Sequence, residues 1–113
     1  MSIPVEDYGH AVILKPKGEL TEDTLDAFKE VVDHQLMSDA VVDVIVDMEE
    51  ITFIDSTLLE YLLDTQDSLH EKFGQVRLAR CDENVATILE ITRLNLVFEV
   101  FENTSDAVRV AGA

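Results

Sequence analysis

The sequence is poor in several residue types, and each scarcity excludes a class of protein. It has one cysteine, Cys81, and so cannot form an internal disulfide framework. Two prolines, four glycines and no repeat or low-complexity tract leave nothing typical of a linker or a fibrous chain. No apolar run approaches the roughly 18 residues that a membrane-spanning helix requires. We therefore expect one globular domain over residues 1–113.

Positive charge is also scarce. The chain has 8 Lys and Arg residues against 24 Asp and Glu residues, which gives a formal net charge of −16. Binding to nucleic acid or to anionic lipid needs clustered basic residues that this chain does not supply, so neither partner is expected. The charge instead favours a basic protein partner and keeps copies apart, as in a monomer or a weak dimer.

The first residues carry no targeting signal that we recognise. Met1 to Asp7 has no cationic start followed by an apolar block, so we expect no signal peptide and a cytoplasmic location.

Hydrophobic periodicity predicts strands that alternate with helices. The β-branched run from Val41 to Met48 is typical of a central strand that is buried on both faces. Further strands are predicted at Ala11 to Lys15, in "QVRLARC" and in "VFEVF", and helices in "TEDTLDAFKEVVDHQLM", after Asp55, after the cap candidate Asp82, and after Asn103 or Thr104. This order predicts an α/β domain with a small mixed, largely parallel sheet of about four to five strands after an initial hairpin, packed with about four helices.

The longest predicted helix has about 17 residues, or about 25 Å. Leu58, Leu62, Leu69 and Phe73 recur at helical spacing until Gly74 ends the pattern. Such a stripe is more typical of a core than of a lipid or cofactor groove, although an exposed part of it would suit a partner.

Three small polar residues, Asp55, Ser56 and Thr57, precede this helix where a strand ends. All three types are common helix N-caps, and Thr57 with Glu60 has the spacing of a capping box. Because one cap residue is enough, Ser56 has no structural duty in this interpretation.

A free hydroxyl at a helix start is either a nucleophile or a phosphate acceptor. Nucleophilic catalysis needs a base and an orienting group. The histidines His10, His34 and His70 are scattered and there is no G-x-S-x-G motif, so we expect no catalytic residue and no enzyme. Phosphorylation of Ser56, or less readily Thr57, fits better, because a helix N-terminus tolerates an anion.

No cofactor or metal site is predicted. The spacing of Asp67, His70 and Glu71 would suit a metal, but without a second ligand cluster a solvated surface is the better interpretation, and the same holds for Glu30 with His34. The chain has no Gly-rich phosphate loop.

The sequence resembles the STAS domains of bacterial anti-sigma factor antagonists over nearly its whole length. "KGEL" is similar to the Gly-Glu-Leu turn of that family, "VIVDMEEITFIDST" to its strand and Asp-Ser-Ser/Thr motif, and "VATILEITRLNLVFEVF" to its closing segment. The resemblance implies that Ser56 is the phosphoacceptor and that Asp55 shapes its site.

The resemblance also implies partner switching. The unphosphorylated domain captures an anti-sigma factor, the serine kinase activity of that factor phosphorylates Ser56, and a protein phosphatase reverses the modification. The docking residues implied in this way are Thr21, Asp55, Ser56, Thr57, Leu58, Glu60 and Arg93.

Three of these residues depart from the family pattern. Leu58 and Arg93 stand where glycine is usual, and Thr21 stands where an acidic residue is common. Leu58 either packs inward or projects into the docking face. Two alternatives stay open: a scaffold or regulatory STAS subunit of a larger assembly, stressosome-like or transporter-associated, and a ligand-binding STAS module.

Overall fold

The computed structural model describes residues 2–111, in which seven strands and four α-helices follow one another. The strands are β1 (Val5–Asp7), β2 (Ala11–Leu14), β3 (Gly18–Leu20), β4 (Asp43–Asp47), β5 (Ile51–Ile54), β6 (Val76–Ala79) and β7 (Glu99–Phe101), and the helices are α1 (Leu25–Leu36), α2 (Ser56–His70), α3 (Glu83–Ile91) and α4 (Thr104–Ala111).

Five of the strands form one sheet in the order β1-β2-β4-β6-β7. β1 pairs antiparallel with β2, and every other neighbouring pair is parallel. Parallel neighbours need crossover connections, which contain α1, α2 and α3. The predicted α/β domain with an initial hairpin is confirmed. The central strand β4 is buried along its whole length, as its β-branched sequence predicts.

The two faces of the sheet carry cores of unequal size. On one face, α1, α2 and α3 form the larger cluster, which joins Phe28 and Leu62 to Val44 of the central strand. On the other face, the short helix α4 places Ala107 in a smaller cluster with Ile45 and Ala79. Small side chains on this second face let α4 lie close to the sheet.

The alternation in "QVRLARC" correctly predicts a strand, but its central polar residue, Arg77, does not face solvent. Arg77 is buried in β6, and its guanidinium donates to Asp43 of β4 at 2.5 Å. The same carboxylate accepts from the backbone N–H of Gln75 at 2.9 Å. A buried charge of this kind requires a hydrogen-bonded partner, which the neighbouring strand provides.

A separate two-stranded parallel sheet joins β3 to β5. The Gly-Glu-Leu segment that resembles a family turn is therefore a short strand, and it enters that strand through Gly18 at φ 88°. A positive φ is accessible to glycine without a side-chain clash. This pairing brings the segment after β3 beside the start of α2.

The predicted long helix is present and has 15 residues, but the predicted position of Phe73 on its apolar stripe is wrong. The helix ends at His70, and Phe73 takes a left-handed φ of 64° with its side chain 99% exposed. Gly74 then approaches the backbone of Val42 so closely that a Cβ atom would lie 1.6 Å from the Val42 carbonyl oxygen. The Gly74 N–H donates to the Leu69 carbonyl at 2.9 Å and so closes the end of the helix, and Phe73, in the turn just before Gly74, faces solvent.

Candidate functional site

Asp55 is the N-cap of α2. Its backbone is extended, with φ −98° and ψ 176°, and its Oδ1 accepts from the backbone N–H of Leu58 at 2.9 Å. The predicted capping box of Thr57 and Glu60 is therefore wrong, because α2 begins at Ser56 and Thr57 is its second residue. The carboxylate of Asp55, at the end of β5, caps the helix two positions earlier than the sequence spacing suggested.

The second oxygen of the same carboxylate ties α2 to another segment. Asp55 Oδ2 accepts from the backbone N–H of Glu22 at 2.9 Å, and the backbone N–H of Asp55 donates to the Leu20 carbonyl at 3.0 Å. The adjacent residue Thr21 is fixed in turn, because its N–H donates to Thr24 Oγ1 at 3.0 Å. The structure thus brings Thr21 and Asp55 together, although the sequence separates them widely.

Ser56 is the first residue of α2, and its side chain is exposed. Within residues 2–111 its hydroxyl makes no hydrogen bond, and the backbone N–H groups of Ser56 and Thr57 also have no acceptor. Thr57 is half-buried. The hydroxyl of Ser56 is therefore available to a partner, at a helix end that attracts anions.

Leu58 does not belong to the docking surface implied by the resemblance. Its side chain is 0% exposed and lies in the larger core cluster. The N-cap geometry points the third helical residue toward the sheet. An apolar side chain packs well there, whereas a docking residue would have to face solvent. Of the two orientations left open above, Leu58 takes the inward one.

The surface around Ser56 is acidic. Glu60 lies four residues further along α2 and so shares its exposed face with Ser56. The exposed acidic residues on α2 and on the segment tied to Asp55 are Glu19, Glu22, Asp23, Glu60, Asp64 and Asp67. This charge favours a partner surface that carries Lys and Arg.

Arg93 stands apart from this group in the contacts that the structure shows. It follows α3 in a left-handed conformation, with φ 62°, and its side chain is exposed. No hydrogen bond or ion pair within residues 2–111 joins its side chain to Thr21, Asp55 or Ser56. Its place in the docking surface stays a prediction.

An ion-pair cluster that sequence reasoning missed braces the turn before β5. Arg80 pairs with both oxygens of the buried Asp47 and with Glu49. Burial raises the pKa of Asp47, but the hydrogen bonds from Arg80 and from the Glu49 N–H outweigh burial and hold that pKa below its usual value. In the sequence, this ion-pair cluster is indicated only by the carboxylate of Asp47 in the otherwise apolar run of β4.

Cys81 is half-buried and directly precedes Asp82, the cap residue of α3. The side chain packs against the larger core, and burial, followed by the charge of Asp82, raises its pKa to about 11. A thiol with that pKa stays protonated near neutral pH. Elsewhere in residues 2–111, no three His, Cys, Asp or Glu side chains converge as a metal site would require.

Comparison with known proteins agrees with this fold. The STAS domain model matches residues 2–107, and the chain therefore belongs to the STAS domain family. No curated protein matches it. None of the helices in residues 2–111 combines the length and apolar character needed to cross a membrane.

Several solved structures share the fold at low sequence identity. A Thermotoga maritima protein assigned as an anti-sigma factor antagonist is 22% identical, with a TM-score of 0.88 over 98% of this chain and 95% of that one. The antagonist SpoIIAA, in its unphosphorylated form, is 18% identical, with a TM-score of 0.81 over 99% and 98%. A sulfate transporter family protein of Wolinella succinogenes is 20% identical, with a TM-score of 0.76 over 96% and 89%.

Proposed function

We propose that this chain is an anti-sigma factor antagonist that acts by partner switching and is controlled by reversible phosphorylation of Ser56. The observation that carries the proposal is the exposed hydroxyl of Ser56 beside the backbone N–H groups of Ser56 and Thr57 at the start of α2, none of which has a hydrogen-bond partner among residues 2–111. Because Asp55 already caps the helix, Ser56 is free of any structural role there.

The proposed chemistry takes place on this chain but is catalysed by its partner. An anti-sigma factor with serine kinase activity transfers the γ-phosphoryl group of ATP to Ser56 Oγ. The bond from that phosphorus to ADP breaks, the Oγ–P bond forms, and the hydroxyl proton is released. A phosphatase hydrolyses the ester and restores the hydroxyl. In this scheme the chain is a cytoplasmic regulatory protein and not an enzyme.

Phosphorylation would act as a switch through the cost of covering a phosphate. Phosphoserine adds a charge of about −1.5 to −2 at neutral pH. A partner that covers Ser56 would have to desolvate this charge beside Asp55 and Glu60, and in the proposed switch this cost outweighs the attraction of the phosphate to basic groups of the partner. The similar protein SpoIIAA is known in both unphosphorylated and phosphorylated forms, which supports a fold that tolerates the modification.

The test combines phosphorylation with binding. The chain is incubated with ATP and candidate anti-sigma kinases, and the modified residue is mapped by mass spectrometry. We expect phosphate on Ser56, and we expect Ser56→Ala to bind the kinase as the unmodified chain does while Ser56→Asp weakens binding by about tenfold or more, equivalent to about 1.4 kcal/mol.

Ser68 provides a matched control, because it is an exposed serine near the other end of α2. Ser68→Asp adds the same charge to the same helix and should change affinity little. If a kinase that is active on another substrate leaves both Ser56 and Thr57 unmodified, the proposal fails. Equal binding by Ser56→Asp and Ser56→Ala would remove charge as the switching mechanism.

A scaffold or transporter-associated role is the second candidate, favoured by the similarity to the sulfate transporter family protein. In that role Ser56 or Thr57 would shape an interface inside an assembly. Size-exclusion chromatography with light scattering separates the two candidates, because the antagonist should elute as a monomer or weak dimer and a scaffold as a large particle.

A further inference from the structure

The strand β7 leaves one edge of the main sheet open. It pairs with β6 on one side, and no strand within residues 2–111 pairs with its other side. The Phe101 carbonyl accepts from the N–H of Arg80 at 3.0 Å, so Phe101 directs its backbone groups toward β6. Because backbone groups alternate along a strand, the N–H and C=O of Val100 point to the open edge.

Apolar side chains flank this edge. Leu96 is 78% exposed, Val97 44% and Val100 43%, and residues 95–101 line a groove of about 370 Å³. Open edges in proteins are usually protected by proline, lysine or a covering segment. Residues 95–101 contain neither proline nor lysine, and the apolar side chains here are grouped and not scattered singly.

The opposite edge of the same sheet is protected. Pro4 precedes β1, where Glu6 forms an ion pair with Lys15 and Asp7 is exposed. The two edges therefore differ in chemistry although both belong to three-residue strands. This contrast marks the β7 edge as the one suited to binding.

Charge decides what the edge accepts. Glu102 is exposed two residues after Val100, and the whole chain carries −16. The carboxylate of Glu99 is exposed as well, but it already accepts from Gln75 at 2.5 Å and lies 3.9 Å from the Arg77 guanidinium. A second copy would bring the same negative charge to the edge, which opposes self-pairing. A segment with basic side chains would be attracted to it.

We infer that the open edge of β7 is a protein-binding surface that accepts an extended partner segment of alternating apolar and basic residues as an added strand. Main-chain hydrogen bonds to Val100 hold the segment, and Leu96 and Val97 contact its apolar side chains. This surface is separate from the Ser56 hydroxyl and does not depend on its phosphorylation.

The probe is a capped six-residue peptide of alternating lysine and valine, titrated into the isotope-labelled chain and followed by NMR. The same peptide methylated at every backbone nitrogen keeps the charge and the apolar side chains but has no backbone N–H, so it cannot donate to the Val100 carbonyl and cannot form the full pairing of a strand. We expect the unmodified peptide to shift the amides of residues 96–101 and to bind at least fivefold more tightly than the methylated one.

Val100→Pro removes the outward N–H and should weaken peptide binding at least fivefold. If the proline variant does not fold, Val100→Lys is tested in its place. This variant keeps every backbone group, and its positive charge repels the peptide. Phe73→Lys is the matched control, because Phe73 is exposed on another part of the surface, and it should leave affinity within about twofold.

Three results would overturn the inference. Equal binding by the methylated peptide would show charge attraction alone. Unchanged affinity in folded Val100→Pro and Val100→Lys would exclude the edge. A concentration-dependent dimer that Val100→Lys abolishes would assign the edge to a second copy.

Discussion

The junction between β5 and α2 can be compared residue by residue with the junction between β6 and α3. Each helix is capped by an aspartate in an extended conformation, Asp55 and Asp82, whose Oδ1 accepts from the backbone N–H three residues later at 2.9 and 2.8 Å. Those third residues, Leu58 and Val85, are both fully buried. Both helices therefore start with the same local geometry.

The two junctions differ in the residues between the capping aspartate and the buried third residue, which we call the anchor (Leu58 in α2 and Val85 in α3). α3 has Glu83 in its first turn, where a negative charge favours the helix dipole, and α2 has Ser56 and Thr57 with no acidic residue there. The second carboxylate oxygen of Asp55 binds the N–H of Glu22, and Asp82 makes no equivalent bond among residues 2–111. α3 thus shows that this fold starts a helix without a hydroxyl pair, which leaves Ser56 for another role.

The largest expected effect is at the anchors. Leu58→Ala should lower the free energy of unfolding by about 2–5 kcal/mol, because it removes a fully buried side chain and leaves a cavity. Val85→Ala removes fewer atoms and should cost about 1–3 kcal/mol. Urea denaturation measures both; a cost below about 0.5 kcal/mol for Leu58→Ala would show that Leu58 does not anchor α2.

Replacing the two capping aspartates should lower the free energy of unfolding by less than replacing the anchors. Asp82→Ala should cost about 1 kcal/mol for the lost cap, and Asp55→Ala should cost about 0.5–1.5 kcal/mol more, because the Glu22 N–H also loses its acceptor. Urea denaturation is again the measurement, and hydrogen exchange at the Glu22 amide should rise in Asp55→Ala alone. Equal costs for the two variants, with unchanged exchange at Glu22, would contradict the tertiary role of Asp55.

The smallest effect is expected just beyond the ends of the same two helices. Phe73 and Arg93 both hold left-handed conformations, at φ 64° and 62°, and both side chains are exposed. Phe73→Gly and Arg93→Gly should each raise the free energy of unfolding by about 0.5–1 kcal/mol, because glycine adopts this conformation without a side-chain clash.

Met37→Gly is the control for these two glycine variants. Met37 is 80% exposed and follows α1 with an ordinary φ of −64°. The substitution should destabilise the chain slightly by increasing the freedom of the unfolded state. Stabilisation by all three glycines would mean that the backbone conformation is not the cause.

Local sequence patterns predicted most of the fold. The run around Val44 identified the central strand, and the cap candidates Asp82 and Asn103 accept from the N–H of Val85 and Asp106 at 2.8 Å each. These features depend on hydrogen bonds and side-chain periodicity within a few residues. The positions of Asp55 and Ser56, at the end of β5 and the start of α2, are those that the motif predicts, and the role of these residues in docking and phosphorylation stays a prediction.

Composition and periodicity by themselves determined the α/β class, the acidic surface and the hydroxyl pair at the start of the longest helix. Tertiary structure alone decided that the second carboxylate oxygen of Asp55 ties α2 to the segment after β3, that Phe73 is exposed and that Arg77 is buried. Each of these outcomes goes with a contact to a distant segment: the Glu22 N–H for Asp55, the Val42 backbone beside Gly74, and the Asp43 carboxylate for Arg77. Local patterns describe which face a side chain prefers, but only the packed chain determines which neighbour meets it.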